Sequence, residues 1–131
     1  MIVLDASAVL EWLLRLPRAP QIEERLSRLD ESLDAPHLID IEVAQVVRRL
    51  STRGVVSASR GRQALEDLAD LDLERHPHDL LLPTVWRLRA NLTAYDGAYV
   101  ALAEALEAPL LTLDARLAAA PGHEAIIDVV T

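Results

Sequence analysis

The chain of 131 residues lacks cysteine and lysine, and only 3% of its residues are aromatic. Without cysteine there can be no disulfides, thiolate metal sites or thiol nucleophiles. Without lysine there is no phosphate-binding amine of a P-loop, no catalytic amine of a protein kinase and no Schiff base. The few aromatic residues also leave little for stacking on nucleic acid bases, and we interpret Trp12 and Trp86 as packing or dimer residues.

The charge balance is acidic, with thirteen arginines, twenty-one acidic residues and a net charge of −8. Such a balance argues against a general electrostatic hold on nucleic acid, which normally needs a basic surface. The apolar stretch 1–16 is short and carries Asp5, Glu11 and Arg15, so it predicts neither a signal peptide nor a membrane span. A hydrophobic fraction of 51% is enough for one domain, 1–131, of a cytoplasmic protein.

Short apolar runs alternate with amphipathic segments along the whole chain. The predicted strands are 2–4, 33–35, 71–74, 110–113 and 125–130. The predicted helices are 7–14 with Ser7 as its cap, 22–29, 39–50, a helix opened by Ser57 or Ser59 that reaches Leu71, 79–92 with Asp79 as its cap, 93–106 and 116–120. Because the strands are apolar on both faces, the pattern predicts an α/β fold with a parallel sheet between two layers of helices.

Two carboxylates follow apolar strands directly. Asp5 comes after the first strand and Asp114 after the strand at 110–113. The carboxyl edge of an open parallel sheet is where such folds place ligand sites. The alternative is that each Asp only caps the next helix, although Ser7 offers a separate cap after the first strand. We therefore interpret both residues as candidates for one site.

Two further acids lie on predicted helices. Asp96 lies within the apolar stripe of its helix, between Leu92 and Tyr99, where an unpaired carboxylate would cost on the order of several kcal/mol. It needs a metal, an arginine or a set of donors, and a plain buried salt bridge is the alternative. On the helix 39–50, Glu42 and Asp40 lie at opposite edges of the apolar stripe, and periodicity does not choose between them.

Four carboxylates at one edge would require neutralisation. Like charges about 4 Å apart repel by roughly 4 kcal/mol per pair at an effective dielectric of about 20. With oxygen ligands and no cysteine, the suitable ions are Mg²⁺ or Mn²⁺, and a metal held in this way suits phosphodiester hydrolysis by an activated water. The four histidines have no ligand spacing and are predicted at the surface or in turns.

The segments that carry these acids resemble, in order and spacing, the motifs of PIN-domain nucleases, and in particular the short VapC toxins of toxin–antitoxin pairs. The four segments are Asp5-Ala6-Ser7, Ile41-Glu42-Val43-Ala44, Thr93-Ala94-Tyr95-Asp96 and Leu111-Thr112-Leu113-Asp114. Together they span nearly the whole chain.

The resemblance implies a PIN domain whose parallel sheet has the strand order 3-2-1-4-5. It implies Mg²⁺-dependent endonucleolytic cleavage of RNA, with Mn²⁺ as a substitute, leaving a 5′-phosphate and a 3′-hydroxyl and inhibiting translation. It also implies a homodimer and a cognate antitoxin that can push a basic side chain into the site. The residues that carry over are the metal-site acids Asp5, Glu42, Asp96 and Asp114, and the supporting hydroxyls of Ser7 and Thr112.

Two features of the arginines bear on the predicted site. Arg116 stands where some PIN-domain relatives have a further carboxylate, which puts a second metal ion in doubt. Its guanidinium is interpreted either as a contact to the scissile phosphate or as the partner of one site acid. Five arginines close together in the sequence predict binding of RNA phosphates, with a solvated helix face as the alternative: Arg48, Arg49, Arg53, Arg60 and Arg62.

The alternative function is a catalytically silent PIN-like module that acts through a protein partner. All four acid positions are occupied, which favours the nuclease. A loss of metal binding would favour the silent module.

Overall fold

A computed structural model describes residues 1–28 and 31–131, and within them five parallel strands form one sheet of order β3-β2-β1-β4-β5. This confirms the strand order that the resemblance implied. The central strand is β1, where Val3 pairs with Asp34 of β2 on one side and with Leu110 of β4 on the other. The strands are β1 (Ile2–Leu4), β2 (Leu33–Pro36), β3 (Leu73–His76), β4 (Leu110–Thr112) and β5 (Ile127–Val129).

Helices cover the sheet, which confirms the three-layer α/β/α class. Helices α1, α3 and α4 pack on one another, while α5 packs on α6, which itself contacts β1, β2 and β4. The helices are α1 (Ala6–Leu13), α2 (Ala19–Ser27), α3 (Leu38–Thr52), α4 (Ala58–Asp70), α5 (Leu82–Arg87), α6 (Ala94–Leu106) and α7 (Ala115–Ala119), with a 3₁₀ turn at Asp79–Leu81 before α5.

The sheet and helices close on one apolar core. All three residues of β1 and all three of β4 are buried, as expected for parallel strands covered on both faces. The core runs from Ile2 to Val130 and includes the α6 residues Tyr99 and Leu102. The sheet edge that carries the site is therefore built on the most buried strands.

Side-chain caps set where four helices begin. Asp5, Ser57, Thr93 and Asp114 each accept a hydrogen bond from a backbone N–H in the first turn of α1, α4, α6 and α7, a stabilising arrangement. The prediction that Ser7 caps the first helix was wrong. Asp5 has the extended backbone of a cap, so α1 begins one residue later at Ala6 and includes Ser7.

Arg75 joins α3, α4 and β3. Its guanidinium makes two hydrogen bonds of 2.9 Å to the Asp40 carboxylate on α3 and donates to the backbone carbonyls of Leu68 on α4 and Leu73 on β3. A planar guanidinium with several donors suits such a junction. The contact fixes the first turn of α3 and turns Asp40 towards β3.

Several predicted boundaries were wrong. The helix predicted at 79–92 is split, because a 3₁₀ turn precedes α5, Pro83 lies in the first turn of α5, and short turn hydrogen bonds from Arg89 and Asn91 replace helical ones beyond it. Strand β3 begins at Leu73 because α4 extends to Asp70.

The last predicted strand, 125–130, is three residues long, since only Ile127–Val129 pairs with β4. The last helix begins at Ala115 rather than Arg116, with Asp114 as its cap. The prediction for Leu29, at the end of the second helix, lies outside the described residues. No helix within the two described ranges combines the length and apolar character needed to cross a membrane.

Candidate active site

The ends of the neighbouring strands β1 and β4 bring Asp5 and Asp114 to the same edge of the sheet. The backbone N–H of Asp5 donates to the carbonyl of Leu111 at 3.3 Å, which ties the exit of β1 to β4. Both acids also cap the helices that follow them. The sequence analysis treated helix capping and a role in the site as alternatives for these two acids. In the structure the two are compatible, because the capping hydrogen bonds hold both carboxylates at this edge.

The Asp5 carboxylate is the most buried of the four acids, with 7% of the residue exposed. Its Oδ1 accepts from Ser7 Oγ at 2.6 Å and from the Ala8 N–H at 3.0 Å, and its Oδ2 accepts from Thr112 Oγ1. The predicted supporting residues Ser7 and Thr112 therefore bind Asp5 itself. A direct contact of either hydroxyl with a ligand stays a prediction.

Burial raises the pKa of Asp5 above its usual range. The hydrogen bonds from Ser7, Thr112 and Ala8 lower the pKa in part, and the negative charge of Asp96 raises it again. The hydrogen bonds thus hold the Asp5 carboxylate in place, but they do not offset the cost of burying its negative charge. A cation at this edge would favour the ionised form.

The structure chooses between the two acids of α3. Asp40 pairs with Arg75, whereas Glu42 is half-buried and lies near Asp5, Asp96 and Tyr99. Burial raises the pKa of Glu42, the nearby Tyr99 hydroxyl lowers it, and Asp96 and Asp5 raise it further. The prediction of Glu42 as the acid near the other candidates agrees with this placement.

Asp96 lies in the first turn of α6, after the Thr93 cap. Its pKa is raised by burial and then by Asp114, while Arg116 and the Thr93 hydroxyl lower it. Among the ion pairs of the described residues none includes Asp96, so the alternative of a plain buried salt bridge is not what the structure has. The negative charge of Asp96 in turn raises the pKa of Asp5 and of Glu42.

Asp114 is the one site acid with a fixed cation. Arg116 Nε and Nη2 donate to its two carboxylate oxygens at 3.0 and 2.7 Å. The guanidinium and the Arg116 N–H lower the pKa of Asp114, although burial opposes them. Of the two interpretations left open for Arg116, the structure has the pairing with an acid, and a contact to phosphate stays a prediction.

Tyr99 is a feature of the site that the sequence analysis treated only as part of an apolar stripe. Its ring is buried, and its hydroxyl faces Glu42 closely enough for the two groups to affect each other, without the geometry of a hydrogen bond. Burial and the Glu42 charge raise the pKa of Tyr99 well above its usual range, so the phenol stays protonated. The sequence could have indicated this role, because a tyrosine on the buried face of a helix needs a hydrogen-bond partner for its hydroxyl.

The four acids fit a divalent cation in chemistry, although they are not gathered round one point. The described part of the chain has no group of three acidic or histidine side chains already spaced to ligate one ion, and mutual repulsion keeps carboxylates apart. The buried Oε1 of Glu42 has no hydrogen-bond partner, which is costly for a carboxylate. All donors are oxygens, the ligands that Mg²⁺ and Mn²⁺ prefer.

The five arginines predicted to bind RNA do not lie together in the site. Arg60 donates to the Leu13 carbonyl at 2.7 Å and so joins α4 to α1. The other four are exposed: Arg48 and Arg49 on α3, Arg53 at its end, and Arg62 on α4. Their contact with RNA stays a prediction.

This combination of a five-stranded parallel sheet and acids at the ends of β1 and β4 is matched by a known family. A model of the PIN domain matches residues 2–122, and the chain therefore belongs to the PIN-domain family. Within that family, its relatives are VapC ribonucleases.

Ribonuclease VapC9 of Mycobacterium tuberculosis is 46% identical over 117 residues, which cover 89% of this chain and 88% of that protein. Ribonuclease VapC1 of the same organism is 45% identical over 122 residues, with 92% and 90% covered. The crystal structure of VapBC2 from Rickettsia felis, bound to a DNA fragment from their promoter, aligns with a TM-score of 0.75 and 15% identity over 98% of both chains. The last match is a likeness of fold alone.

We predict that Asp96→Asn stabilises the metal-free protein at pH 7. A carboxyl whose pKa is raised on folding binds more protons when folded than when unfolded, so its ionised form weakens the fold above the usual pKa of 3.8. Thermal unfolding in EDTA should show a Tm a few degrees above wild type at pH 7. The difference should shrink as the pH falls below the raised pKa, where the wild-type carboxyl is neutral.

Asp114→Asn is the matched control with the opposite sign. The lowered pKa of Asp114 means that its ionised form stabilises the fold above the usual pKa, and asparagine can still cap α7. This variant should unfold at a lower temperature than wild type at pH 7. A lower Tm for Asp96→Asn as well would contradict the account of the site as uncompensated negative charge.

Proposed function

We propose that this protein is a divalent-metal-dependent endoribonuclease that acts as the toxin of a toxin–antitoxin pair. The observation that carries the proposal is that Asp5 and Asp114 lie at the adjacent exits of β1 and β4, while Asp96 and Asp5 raise the pKa of Glu42 and Asp114 raises that of Asp96. The relatives that are named ribonucleases support it. Because one core runs from Ile2 to Val130, we also propose that 1–131 acts as a single PIN domain.

Asp5, Glu42 and Asp96 are the residues that we propose hold Mg²⁺ or Mn²⁺. Each has a raised pKa, and Glu42 has a buried oxygen without a partner, so a cation would relieve both costs. When bound, such an ion supplies Lewis-acid chemistry for hydrolysis of a phosphodiester bond and lowers the pKa of water. Cleavage then leaves a 5′-phosphate and a 3′-hydroxyl.

The other residues of the site hold these acids in place. Ser7 and Thr112 orient the Asp5 carboxylate through their hydroxyls, and Tyr99 keeps a protonated phenol near Glu42. Ligands held in this way lose little freedom when an ion binds, which is the value of a preorganised site. We propose that Ser7 and Thr112 support ligand binding through Asp5.

Binding of RNA by this protein cannot rest on overall charge. The net charge is −8, and removal of the four negative charges of the site acids still leaves −4. Local arginines must therefore contribute. Arg48 lies six residues beyond Glu42 on α3, about 9 Å along the helix axis, so the exposed arginines of α3 would meet RNA that extends away from the centre.

The toxin role also implies partners and a place of action. We propose a cognate antitoxin, on the support of the VapC relatives and of the likeness to a VapBC structure. Because the proposed substrate is cellular RNA and the proposed outcome is inhibited translation, we place the activity in the cytoplasm.

We further propose a homodimer, because large apolar side chains are exposed on the 3₁₀ turn and α5. Leu80, Leu82 and Trp86 lie on the 3₁₀ turn and α5, and Leu82 lines a cavity of about 170 Å³ with Tyr95 of α6. Exposed apolar side chains of this size mark a candidate interaction site, where Arg89 lies over the Trp86 ring, 4.5 Å from its centroid. A second copy of the chain is the occupant that the family resemblance implies.

Cleavage of total cellular RNA by the purified, antitoxin-free protein tests the nuclease. Wild type should produce discrete fragments with Mg²⁺ or Mn²⁺ and none in EDTA. Glu42→Gln should lose more than the roughly 10–100-fold that outer-shell changes at metal sites cost. Asp40→Asn is the matched control, because Asp40 lies on the same helix but pairs with Arg75, and it should cleave at a rate close to wild type.

Equal cleavage by wild type and Glu42→Gln would contradict the site. Absence of cleavage together with absence of Mn²⁺ binding in calorimetry would favour the alternative, a catalytically silent PIN-like binding module. Absence of cleavage with Mn²⁺ bound would instead indicate a narrower RNA substrate.

Expression in bacteria without an antitoxin tests the toxin role. Wild type should slow growth and reduce incorporation of labelled amino acids, because its RNA target serves translation. Asp5→Asn, expressed to the same level, should do neither. Normal growth in the presence of abundant soluble wild-type protein would contradict the toxin role while leaving nuclease chemistry in vitro open to the previous test.

Sedimentation analysis tests the homodimer. Wild type should sediment as two copies, and Trp86→Glu should shift it to one copy, because a charge replaces an apolar side chain that is 68% exposed. Ile126→Glu is the control at a residue of similar exposure, 70%, which lies just before β5 rather than on α5. A single copy for wild type, or equal shifts for both variants, would contradict dimerisation through α5.

A further inference from the structure

Arg116 occupies both oxygens of the Asp114 carboxylate. Oδ1 accepts from the backbone N–H and from Nε of Arg116, each at 3.0 Å, and Oδ2 accepts from Nε at 3.2 Å and from Nη2 at 2.7 Å. The two residues are separated by one position at the start of α7. The guanidinium is therefore held beside Asp114 by short local geometry as well as by charge.

This pairing separates Asp114 from the other three acids. Asp5, Glu42 and Asp96 are partly or fully buried and no arginine pairs with them in the described chain. Arg116 is the one cation at the site, and 85% of its side chain is exposed. A carboxylate with a bidentate guanidinium already has its charge-assisted hydrogen bonds made.

We infer that Arg116 takes the place of a second metal ion at Asp114, so that the centre of this protein binds one divalent ion, at Asp5, Glu42 and Asp96. The inference rests on the proposed metal-dependent function and specifies its stoichiometry. Arg116 acts through Asp114 and is a positioning residue.

Charge balance supports one ion rather than two. The four carboxylates carry four negative charges, and the positive charge of Arg116 neutralises one of them. Three negative charges therefore remain for bound cations to neutralise. One divalent ion reduces these to a single negative charge. A second ion would reverse the sign of the site and would have to displace the guanidinium from Asp114, with the loss of its charge-assisted hydrogen bonds and repulsion between cations.

Calorimetric titration of the purified full-length protein with Mn²⁺ alone tests the inference without reference to cleavage. Wild type should bind one Mn²⁺ per chain. Arg116→Gln frees Asp114 to act as a ligand and should tighten Mn²⁺ binding by about tenfold or more, since a positive charge leaves the site. Arg116→Asp, which adds a carboxylate, should bind two Mn²⁺ per chain.

Arg18→Asp is the matched control for the change of two charge units. Arg18 is exposed and precedes α2, beyond the end of α1 opposite to Asp5, so this variant should bind one Mn²⁺ with wild-type affinity. Because Arg116 is mostly exposed, its variants should remain folded, which circular dichroism checks before titration.

Two Mn²⁺ per wild-type chain, or unchanged stoichiometry and affinity in both Arg116 variants, overturns the inference. If Arg116→Gln instead weakens RNA binding and leaves Mn²⁺ binding unchanged, the guanidinium serves the substrate and the inference is likewise overturned. Asp5→Asn should bind no Mn²⁺ in the same titration. That result would show that the proposed metal site exists even if the inference about Arg116 fails. Absence of Mn²⁺ binding by wild type and every variant overturns both.

Discussion

The structure of this site depends on the hydrogen bonds that hold the Asp5 carboxylate between two strand ends. Ser7 donates to one oxygen and Thr112 to the other, while the Ser7 hydroxyl accepts from the Leu113 N–H and that of Thr112 from the Asp114 N–H. Each hydroxyl thus both donates and accepts, and the exits of β1 and β4 are joined through one buried acid. Because β1 is the central strand, this network fixes the Asp5 carboxylate at the carboxyl edge of the sheet.

A site made of like charges weakens the fold that carries it. Asp5, Glu42 and Asp96 all have pKa values raised chiefly by burial, which means that the folded protein holds their charges at a cost. The surrounding structure compensates through the buried strands, the helix caps and the Arg75 junction. Functional sites commonly show such locally unfavourable arrangements on a stable frame, and a bound cation would remove the cost.

Much of the fold was predictable because hydrophobic runs and caps are local signals. The alternation of strands and helices indicated the α/β class, and the resemblance supplied the strand order that the sheet confirms. The end of the helix predicted at 79–92 was not predictable from its apolar spacing, because turn hydrogen bonds after Arg87 interrupt it. The capping by Asp5 was considered only as the alternative, because Ser7, two residues later, is an equally good cap by type.

The choice between Asp40 and Glu42 shows where sequence reasoning ends. The two lie at opposite edges of one helical stripe, so periodicity treats them alike, and the decision comes from Arg75 on β3, thirty-five residues away along the chain. The partner of Arg116 was also open, since its side chain reaches both solvent and acid. A contact between distant elements distinguishes Asp40 from Glu42, whereas Arg116 pairs with an acid only two residues away, Asp114.

Anomalous diffraction from crystals of the protein grown with Mn²⁺ tests the central claim most directly. The account predicts one strong manganese peak at the carboxyl edge of the sheet, with oxygen atoms of Asp5, Glu42 and Asp96 about 2.0–2.3 Å away, in the range of oxygen ligands to such ions. Arg116 should remain paired with Asp114. A site without manganese at saturating concentration, or manganese held elsewhere on the surface while these carboxylates stay apart, would contradict the account.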